Sequence, residues 1–491
     1  MDEEIEIIGY ELDEQQVKQK EQKQEQMENL EVKEESIQTT EVVEQQTEQK
    51  EQQVESIQIE KPKKQRNVKR LGKRLILLSV LLIPLFGYLY VISTHSTGLI
   101  NATLSKVMLA STGVSTLLLL TGIILVIVNR KQKTKPLKVW AKLLLGTFLT
   151  GYLGVSTFVM VLLYGPNPEF KNWLVTTAMT TMTHQYFATW FYDQDTIKEV
   201  MSNNVVIETD EGTNPDLIQI GGGNNDNSSG TIYANEYEEE ILKRDEGNEL
   251  YKIIEIDTKN RQGKPMKGKL AVIYDPSKVH IATSKGMGLS VSSSYGQMVG
   301  KMADANGGII GMNASGFFDP GYNSRGGVPR GYVISNGKLV ANNKWGRSYG
   351  GLIGFDSNNR LILDRSMDAQ EAMNAGIRDA IQYGPYLIVN GKASFVKGNG
   401  GWGYAPRSAI GQRADGIVLL LVIDGRQTAS AGADMGDLVD IFQKYGAVNA
   451  ANLDGGTSSS MTLNGQIITN PRNGNFAAKT RIVPNAWIVT E

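Results

Sequence analysis

The chain has 491 residues, 52 of them acidic and 50 basic, and a formal net charge of −2 at pH 7. It is too long for one ordinary domain. Its near-neutral net charge is the sum of segments whose own charges are very unequal. It contains no cysteine, which excludes disulfides, thiolate zinc sites and cysteine nucleophiles, and only three histidines, which argues against histidine triads. Of these, His280 lies in an apolar run, where we expect a strand residue with satisfied hydrogen bonds.

Residues 1–60 are dominated by Glu and Gln and predict a disordered acidic tail, because they bury too little apolar surface to offset the entropy of ordering. A weak helical periodicity makes a transient or coiled helix the alternative. Residues 61–74 are strongly basic. A basic run can bind nucleic acid, but an apolar segment of membrane-spanning length follows at once, which favours a juxtamembrane segment and no nucleic-acid partner.

Three apolar segments are long enough to cross a bilayer as helices, namely residues 75–93, 107–128 and 143–164. Lys and Arg are concentrated before the first segment and between the second and third, and the positive-inside rule makes both places cytoplasmic. This pattern predicts a multi-pass protein of the cell membrane with a cytoplasmic N-terminus and an extracellular C-terminal domain. No charged residue lies deep in these segments, so the region 75–164 is predicted to be a three-helix anchor in the lipid bilayer rather than a transporter.

Residues 165–249 are expected to be a membrane-proximal segment followed by a flexible linker. The aromatic side chains between residues 186 and 192 suit the membrane interface better than a ligand site. Farther on, residues 221–230 begin with three glycines and continue with Asn, Asp and Ser, which is linker composition. This stretch lacks the Lys and Ser/Thr of a phosphate-binding loop, so we interpret it as a spacer.

The C-terminal part, residues 250–491, has the pattern of an α+β domain in which strands are in the majority. Strand-like runs occur at residues 251–256, 269–274, 308–312, 331–334, 352–355, 361–363, 386–389, 417–423, 449–453 and 486–489. The clearest helix covers residues 434–445, with Asp434 as the N-cap, Asp437 three residues later and Gly446 as the terminating residue. A second helix is predicted at residues 367–374.

Two predicted strands end in Asp-Gly, a pattern that can place two carboxylates at one rim of a sheet. Asp424 follows the run 417–423, and Asp454 follows the run 449–453. The two glycines after Asp454 let a ligand approach the main chain, and four hydroxyl residues come next. The alternative for the second stretch is a tight hairpin, because Asp-Gly-Gly is ordinary turn chemistry.

Further polar stretches complete an ordered set of motifs. In chain order they are Asn313-Ala314-Ser315-Gly316-Phe317-Phe318, Gly384-Pro385-Tyr386-Leu387, Pro406-Arg407-Ser408, Asp424-Gly425-Arg426 and Asn452-Leu453-Asp454-Gly455-Gly456-Thr457-Ser458-Ser459. Each motif is weak alone, but the five in this order resemble the phosphodiester glycosidase family over about residues 269–489. One departure is Asn313-Ala314-Ser315-Gly316, where Asn-Gly-Gly is expected; the Asn and one Gly are retained.

The resemblance implies action on sugar-1-phosphate diesters of envelope polymers. The leaving group of such a substrate is a phosphate monoester, so neutralising its charge matters more than protonating it. Arginine suits that task because its planar guanidinium pairs bidentately with phosphate oxygens, and a carboxylate is needed at the oxocarbenium-like centre or as nucleophile or base. The predicted catalytic residues are Asp454 and Asp424. The predicted substrate-binding residues are Arg407, Arg426, Asn313, Gly316, Gly455, Gly456, Thr457 and Ser458.

The leading hypothesis is a membrane-anchored hydrolase that cleaves GlcNAc-1-phosphodiester-like bonds in its partner, a cell-wall glycopolymer or exopolysaccharide. A non-catalytic polysaccharide-binding domain and a glycosyl or glycosyl-phosphate transferase are the alternatives. At the residue level, Asp424 and Arg426 can instead form a structural ion pair. No cofactor is expected. Carboxylates near phosphate leave a divalent cation such as Ca²⁺ open, although no spacing resembles a metal-binding loop.

Overall fold

The computed structural model describes residues 67–95, 102–134, 139–181, 184–221, 233–319, 325–343, 350–472 and 480–491. The predicted acidic tail, residues 1–60, lies outside this set, as do residues 61–66 of the basic segment and residues 222–230 of the glycine-rich stretch.

Three long apolar helices open the described chain: α1 (Val68–His95), α2 (Ala102–Val128) and α3 (Val139–Tyr164). Each contains a stretch long and apolar enough to cross a membrane, at Val68–Val91, Ser105–Val128 and Leu143–Tyr164. Large apolar side chains on these helices are exposed, such as Leu117 at 64% and Phe158 at 65%. Such a surface needs an apolar environment, which a lipid bilayer provides.

Residues 67–73 and 124–134 form one compact unit. Within it, Asn67 Nδ2 donates to Lys133 O at 3.0 Å, and Lys69 Nζ donates to Arg130 O at 2.5 Å. The basic start of α1 and the basic residues that follow α2 therefore lie side by side. Residues 74–123 and 135–491 belong to the other unit.

Three short helices follow α3, namely α4 (Pro168–Thr180), α5 (Tyr186–Thr189) and α6 (Gln194–Ser202). The Asp193 side chain caps α6 by accepting from Thr196 N at 2.7 Å. The apolar faces of the three helices pack into a small core of Val175, Ala178, Ala188, Tyr192, Ile197 and Val200. Tyr192 OH donates to Leu163 O at 2.9 Å, which joins this core to the end of α3.

Strands dominate the remainder. Strands β1 to β19 are, in chain order, Val205–Ile207, Tyr251–Lys259, Pro265–Ile273, Val279–Thr283, Gly308–Asn313, Gly331–Ser335, Lys338–Asn343, Gly351–Asp356, Leu361–Asp364, Ile377–Tyr383, Tyr386–Val389, Lys392–Ala393, Phe395–Lys397, Arg407–Arg413, Val418–Ile423, Ala447–Asn452, Met461–Leu463, Gln466–Ile467 and Asn485–Thr490. The helices among them are α7 (Glu236–Leu242), α8 (Val299–Ala305), α9 (Ala369–Asn374) and α10 (Met435–Lys444).

The strands form antiparallel sheets. A seven-stranded sheet has the order β12-β11-β16-β14-β15-β3-β2, and two five-stranded sheets have the orders β7-β6-β10-β8-β9 and β18-β17-β5-β19-β4. β1 pairs with β13 in a small two-stranded sheet. The C-terminal domain is thus α+β and rich in strands, as predicted.

The seven-stranded sheet is covered on both faces, as β15 illustrates. Leu420 and Val422 contribute to a core shared with the two five-stranded sheets, while Leu419 and Leu421 pack in the core that includes α10. Successive side chains of a strand point to opposite faces, so a strand buried on both faces has a continuous apolar sequence. That is why the run 417–423 was recognisable.

Every predicted strand run overlaps a strand, and both predicted helices are present. The Asp434 side chain accepts from Asp437 N at 2.9 Å, which confirms the predicted cap of α10. His280 lies on β4, and its Nδ1 is 3.3 Å from Asp379 Oδ2, as expected of a satisfied strand residue. The central strand β14 was missed because polar residues interrupt it; they are buried but hydrogen-bonded, as in the bond from Gln412 Nε2 to Gly416 O at 2.9 Å.

The expectation of a flexible linker within residues 165–249 needs correction for residues 205–219. Val206 on β1 lies opposite Val396 on β13. Thr213 N donates to Leu363 O at 3.1 Å, and Gln219 N donates to Ala414 O at 2.8 Å. This segment is therefore held against the C-terminal domain by strand pairing and backbone hydrogen bonds. A three-residue edge strand leaves little sequence signal, because backbone pairing with distant residues holds it in place.

Candidate active site

Asp454 follows the end of strand β16 and lies at one edge of the seven-stranded sheet. Beyond β16 the chain leaves the sheet, with Leu453 N donating to Ser408 O at 2.8 Å and Asp454 N donating to Ala314 O at 3.1 Å. A 3₁₀ turn, Gly456–Ser458, follows, and the next strand, β17, belongs to a different sheet. The alternative of a tight hairpin at this point is therefore wrong.

Asn313, buried at the end of β5, holds the Asp454 loop in place. Its Nδ2 donates to Asp454 O at 2.6 Å, and its Oδ1 accepts from Ser408 Oγ at 2.7 Å and from Ser460 N at 3.1 Å. Both polar ends of the side chain are thus bound to protein groups. These contacts give Asn313 a positioning role; direct contact with substrate stays a prediction.

The Asp454 carboxylate is hydrogen-bonded but has no adjacent ion-pair partner among the described residues. Tyr383 OH donates to Asp454 Oδ1 at 3.3 Å, and the side chain of Ser458 also hydrogen-bonds to the carboxylate. Burial raises the pKa of Asp454 above its usual value, while the hydrogen bonds and the charges of Arg481 and Arg330 lower it. Burial also raises the pKa of Tyr383, so its hydroxyl keeps its proton and donates.

Asp454 lines a cavity of about 650 Å³, which we call the Asp454 cavity. Its wall on the side of the C-terminal domain includes Gly316, Phe317, Arg330, Tyr383 and Trp402, and its opposite wall includes Met179, Thr181, Gln185 and Met201. A Cβ atom at Gly316 would lie 2.8 Å from Tyr383 Cε2. Glycine at this predicted site position therefore leaves room for the tyrosine ring that contacts the carboxylate.

One arginine, Arg330, lines this cavity, and a second, Arg481, is paired with Asp319, a carboxylate that also lines the cavity. Arg330 Nε donates to Phe317 O at 3.2 Å. Arg481 Nη2 pairs with Asp319 Oδ2 at 2.6 Å, and its guanidinium lies 4.3 Å from the centroid of the Phe317 ring. An anionic group that enters the cavity would meet Arg330 at the wall.

Arg407, a predicted phosphate ligand, is buried and binds main-chain carbonyls. Its Nε donates to Ala433 O at 3.1 Å, and its Nη2 donates to Trp402 O and Gly403 O, each at 2.6 Å. Burial lowers the pKa of Arg407 to about 10. A Cβ atom at Gly455 would lie 3.4 Å from Arg407 Nη1, so this nitrogen faces the Asp454 loop. Arg407 thus lies against the Asp454 loop. Its contact with phosphate stays a prediction.

Arg426 reaches the Asp454 loop from its other side. Its Nη1 donates to Thr457 Oγ1 at 3.2 Å and to Arg472 O at 3.4 Å. Arg426 has a φ of +60°, a conformation that costs energy for a residue other than glycine and that often marks functional sites. Gly456 has a φ of +64°, and a Cβ there would lie 3.1 Å from Arg426 Nη2. Glycine thus permits both the turn and the close approach of the guanidinium.

Asp424 is not brought into the Asp454 cavity. β15 and β16 both run antiparallel to β14, so they end at the same edge of the sheet. The Asp424 carboxylate, however, accepts from Asn470 N at 2.8 Å, and burial raises its pKa. Within the described part of the chain it forms no ion pair with Arg426. A catalytic role for Asp424 stays a prediction.

The described residues contain no group of three or more His, Asp or Glu side chains placed to hold a metal ion.

Comparison with known families assigns the region that contains this site. Residues 306–490 match the model of the phosphodiester glycosidase family. This segment is a phosphodiester glycosidase domain. Asp454, Tyr383, Arg330 and all the sequence-predicted site residues lie inside it.

Individual relatives match the chain only in part. The SPbeta prophage-derived uncharacterized protein YomE of Bacillus subtilis is 28% identical over 232 residues, which are 46% of this chain and 34% of that protein. The N-acetylglucosamine-1-phosphodiester alpha-N-acetylglucosaminidase of Bos taurus is 38% identical over 65 residues, 13% of this chain and 12% of the enzyme. The chain thus spans about a third of the length of the first relative and about an eighth of the second.

Among solved structures, the catalytic domain of the zebrafish N-acetylglucosamine-1-phosphodiester alpha-N-acetylglucosaminidase is similar, with 20% sequence identity and a TM-score of 0.42. The similarity covers 50% of this chain and 85% of that one.

The phosphodiester glycosidase domain also contains site residues that sequence reasoning missed. Tyr383 contacts the Asp454 carboxylate, and Arg330 and Trp402 line the same cavity. A usable signal existed for Tyr383, which immediately precedes the Gly384-Pro385 motif. Arg330 follows a proline, as Arg407 does, in a glycine-rich stretch, but neither feature marks it as facing a cavity.

Proposed function

We propose that the phosphodiester glycosidase domain hydrolyses the bond between the anomeric carbon and phosphate in GlcNAc-1-phosphodiester-like units of cell-surface glycopolymers or exopolysaccharide. One observation carries the proposal: the Asp454 carboxylate lines a cavity of about 650 Å³ together with Tyr383 and Arg330. The family match and the partial similarity to an enzyme named for this bond support it.

The residues suit a substrate whose leaving group is a phosphate. Because a phosphate monoester is a weak base, departure needs charge neutralisation more than protonation by a general acid. Arg330 at the cavity wall and Arg426 next to Thr457 supply positive charge. The carboxylate of Asp454 then stabilises the positive charge that develops at the anomeric carbon, or bonds to that carbon.

We propose in addition that α1, α2 and α3 anchor this domain in the cell membrane, with the N-terminus in the cytoplasm and the residues after 164 outside. The three stretches of membrane-spanning length support an anchor. The proximity of Lys69 to Arg130 supports the orientation, because it puts two basic segments together on one side of the membrane.

The test is to incubate the full chain, in detergent micelles, with a GlcNAc-1-phosphodiester and to separate the products. Free GlcNAc and a phosphate monoester are expected. An unchanged substrate would favour a non-catalytic polysaccharide-binding domain, and sugar or sugar phosphate transferred to an added acceptor would favour a transferase. Asp454→Asn serves as the matched inactive control, because it keeps the size of the side chain and removes its charge.

A further inference from the structure

A second cavity, of about 980 Å³, lies beside the Asp454 cavity and has two chemically different walls. The wall on the side of the C-terminal domain, residues 250–491, carries Lys264, Arg426 and Arg472. The opposite wall, formed by α4, α5, Thr181 and His184, carries Trp173, Tyr186 and Phe187. We call this the cationic–aromatic cavity.

The charged residues that line this cavity are all basic. None of the described residues that line it is Asp or Glu. Within the described residues, Lys264, Arg426 and Arg472 make no direct ion pair with a carboxylate, and the buried Nε of Arg472 has no hydrogen-bond partner. Arg426 and Arg472 are partly buried, whereas Lys264 is exposed. Partly buried cations without counterions favour an anionic ligand, and a guanidinium matches phosphate geometry in particular.

The aromatic wall is close to the end of the third membrane-spanning stretch. α4 begins at Pro168, shortly after α3 ends at Tyr164, and its 13 residues extend about 20 Å. Trp173 and Phe187 are 41% and 42% exposed although both are large and apolar. Aromatic side chains at this distance from a membrane-spanning helix are typical of the interface between lipid and water.

The two cavities are neighbours. Thr181 lines both of them. Arg426, in the cationic–aromatic cavity, donates to Thr457 Oγ1 at 3.2 Å, and Thr457 is three residues from Asp454 in the same loop. A ligand can therefore place one end beside the Asp454 carboxylate and continue past Arg426 towards the aromatic wall.

We infer that the substrate is lipid-linked: its phosphodiester joins the anomeric carbon of a sugar to a long apolar alcohol held in the membrane. This inference rests on the proposed function and on the proposed membrane anchor. The sugar lies in the Asp454 cavity, the phosphate lies against Arg426 and Arg472, and the first part of the apolar chain lies along Trp173 and Phe187.

The reaction balances without a further reagent. The oxygen of a water molecule forms a bond to the anomeric carbon while the bond from that carbon to the phosphate oxygen breaks. The electron pair of the broken bond leaves on the phosphate. The products are the free sugar and the phosphate monoester of the apolar alcohol, and the proton released from water passes to solvent or to the departing phosphate.

Binding is tested first, because it does not require turnover. The full chain is placed in phospholipid nanodiscs and titrated with farnesyl phosphate, farnesol and inorganic phosphate, with empty nanodiscs as the blank. Farnesyl phosphate is expected to bind at least tenfold more tightly than either half alone, and Arg472→Ala is expected to weaken it about tenfold. Equal binding of inorganic phosphate, or of farnesol, would overturn the inference. Lys338→Ala, an exposed lysine outside both cavities, is the control.

Turnover then separates the inference from the proposed function. GlcNAc-1-phosphate esters of methanol and of farnesol are compared by kcat/KM. The farnesyl ester is expected to be preferred, and Phe187→Ala is expected to lower that preference about tenfold through lost apolar contact. Phe395→Ala, which removes a 65% exposed aromatic ring outside both cavities, should leave the preference unchanged.

Each outcome has one meaning. Cleavage of the methyl ester with no preference for the farnesyl ester would reject the lipid-linked substrate and keep the proposed function. Cleavage of neither ester by a chain that binds farnesyl phosphate would reject the proposed function and keep the cavity as a site for lipid phosphates.

Discussion

At the scale of single residues, the Asp454 carboxylate is the group on which the proposed chemistry depends. Asn313 holds the loop of Asp454, and Tyr383 donates a hydrogen bond to the carboxylate. The hydrogen bond with Ser458 lowers the pKa of Asp454 and so opposes the effect of burial. A carboxylate with these neighbours costs little reorganisation when positive charge develops beside it.

The first prediction concerns Asp454→Asn. The amide keeps the size of the side chain but cannot carry negative charge, so the single-turnover rate on a GlcNAc-1-phosphodiester should fall about 10³-fold or more while substrate still binds. Thermal melting measured beside the rate should be near that of the wild type. A well-folded variant with a nearly normal rate would exclude Asp454 from catalysis and make Asp424 the next residue to test.

The second prediction concerns the pH profile of Tyr383→Phe. The hydrogen bond from Tyr383 lowers the pKa of Asp454, so its removal should raise that pKa. If the ionised carboxylate is the active form, activity is lost as pH falls through this pKa. The acidic limb of kcat/KM should therefore move to higher pH.

The control for this experiment is Tyr332→Phe, whose hydroxyl donates to Met367 O at 3.0 Å, away from the Asp454 cavity. An unchanged acidic limb in Tyr383→Phe, or the same shift in both variants, would contradict the assigned contact.

The third prediction concerns Arg407, one of the two predicted phosphate-binding arginines. Because Arg407 donates to the carbonyls of Trp402, Gly403 and Ala433, Arg407→Lys should leave buried acceptors unpaired. We expect a loss of about 2 kcal/mol in the free energy of unfolding, or roughly 4 to 8 °C in Tm. Arg325→Lys, at an exposed position, is the matched control. A normal Tm in Arg407→Lys would show that its carbonyl contacts contribute little.

At the scale of elements, α10 begins with a buried pair of carboxylates. Asp434 accepts from Asp437 N, and Asp437 accepts from Asp434 N and from Arg261 N, with distances of 2.9, 2.9 and 2.7 Å. Burial and the nearby charge of Asp434 raise the pKa of Asp437 to about 7, although the backbone hydrogen bonds oppose this. The burial of the capping pair thus also raises the pKa of Asp437.

The fourth prediction follows from this pKa. A carboxyl whose pKa is raised on folding stabilises the protein below its unfolded value, near 4, and that contribution is lost as pH rises through about 7. Asp437→Asn cannot titrate, so the difference in Tm between wild type and variant should shift in favour of the variant between pH 4 and pH 7. Thermal melting across this range is the measurement. A difference that does not vary with pH would contradict the raised pKa.

At the scale of the whole molecule, the proposed topology makes the fifth prediction. Protease added to intact cells should remove the phosphodiester glycosidase domain and spare the acidic segment 1–60, detected by tags at the two ends. The physical reason is the concentration of Lys and Arg before α1 and between α2 and α3, which disfavours their transfer across the membrane. Disrupted cells are the control, in which both ends should be digested. Protection of the C-terminal tag in intact cells would reverse the assignment.

Features that depend on near neighbours along the chain were determined by the sequence itself. The apolar spans follow from composition, the cap of α10 from the spacing of Asp434 and Asp437, and β15 from an apolar run buried on both faces. The order of short motifs likewise sufficed for the family, because each motif is a local stretch of sequence at the start or the end of a strand.

Contacts between distant segments were decided only by the tertiary structure. The pairing of strands and the packing of the sheets on one another bring Tyr383 to Asp454 and bury Arg407 against main-chain carbonyls. They also place Asp424 where its carboxylate accepts from Asn470 N. The cationic–aromatic cavity joins residues near 180 to residues near 430 and 470, and no local pattern encodes that pairing. The physical reason is that a side chain's type is local, whereas its partners depend on which strands pair and on how the helices after α3 pack against the domain.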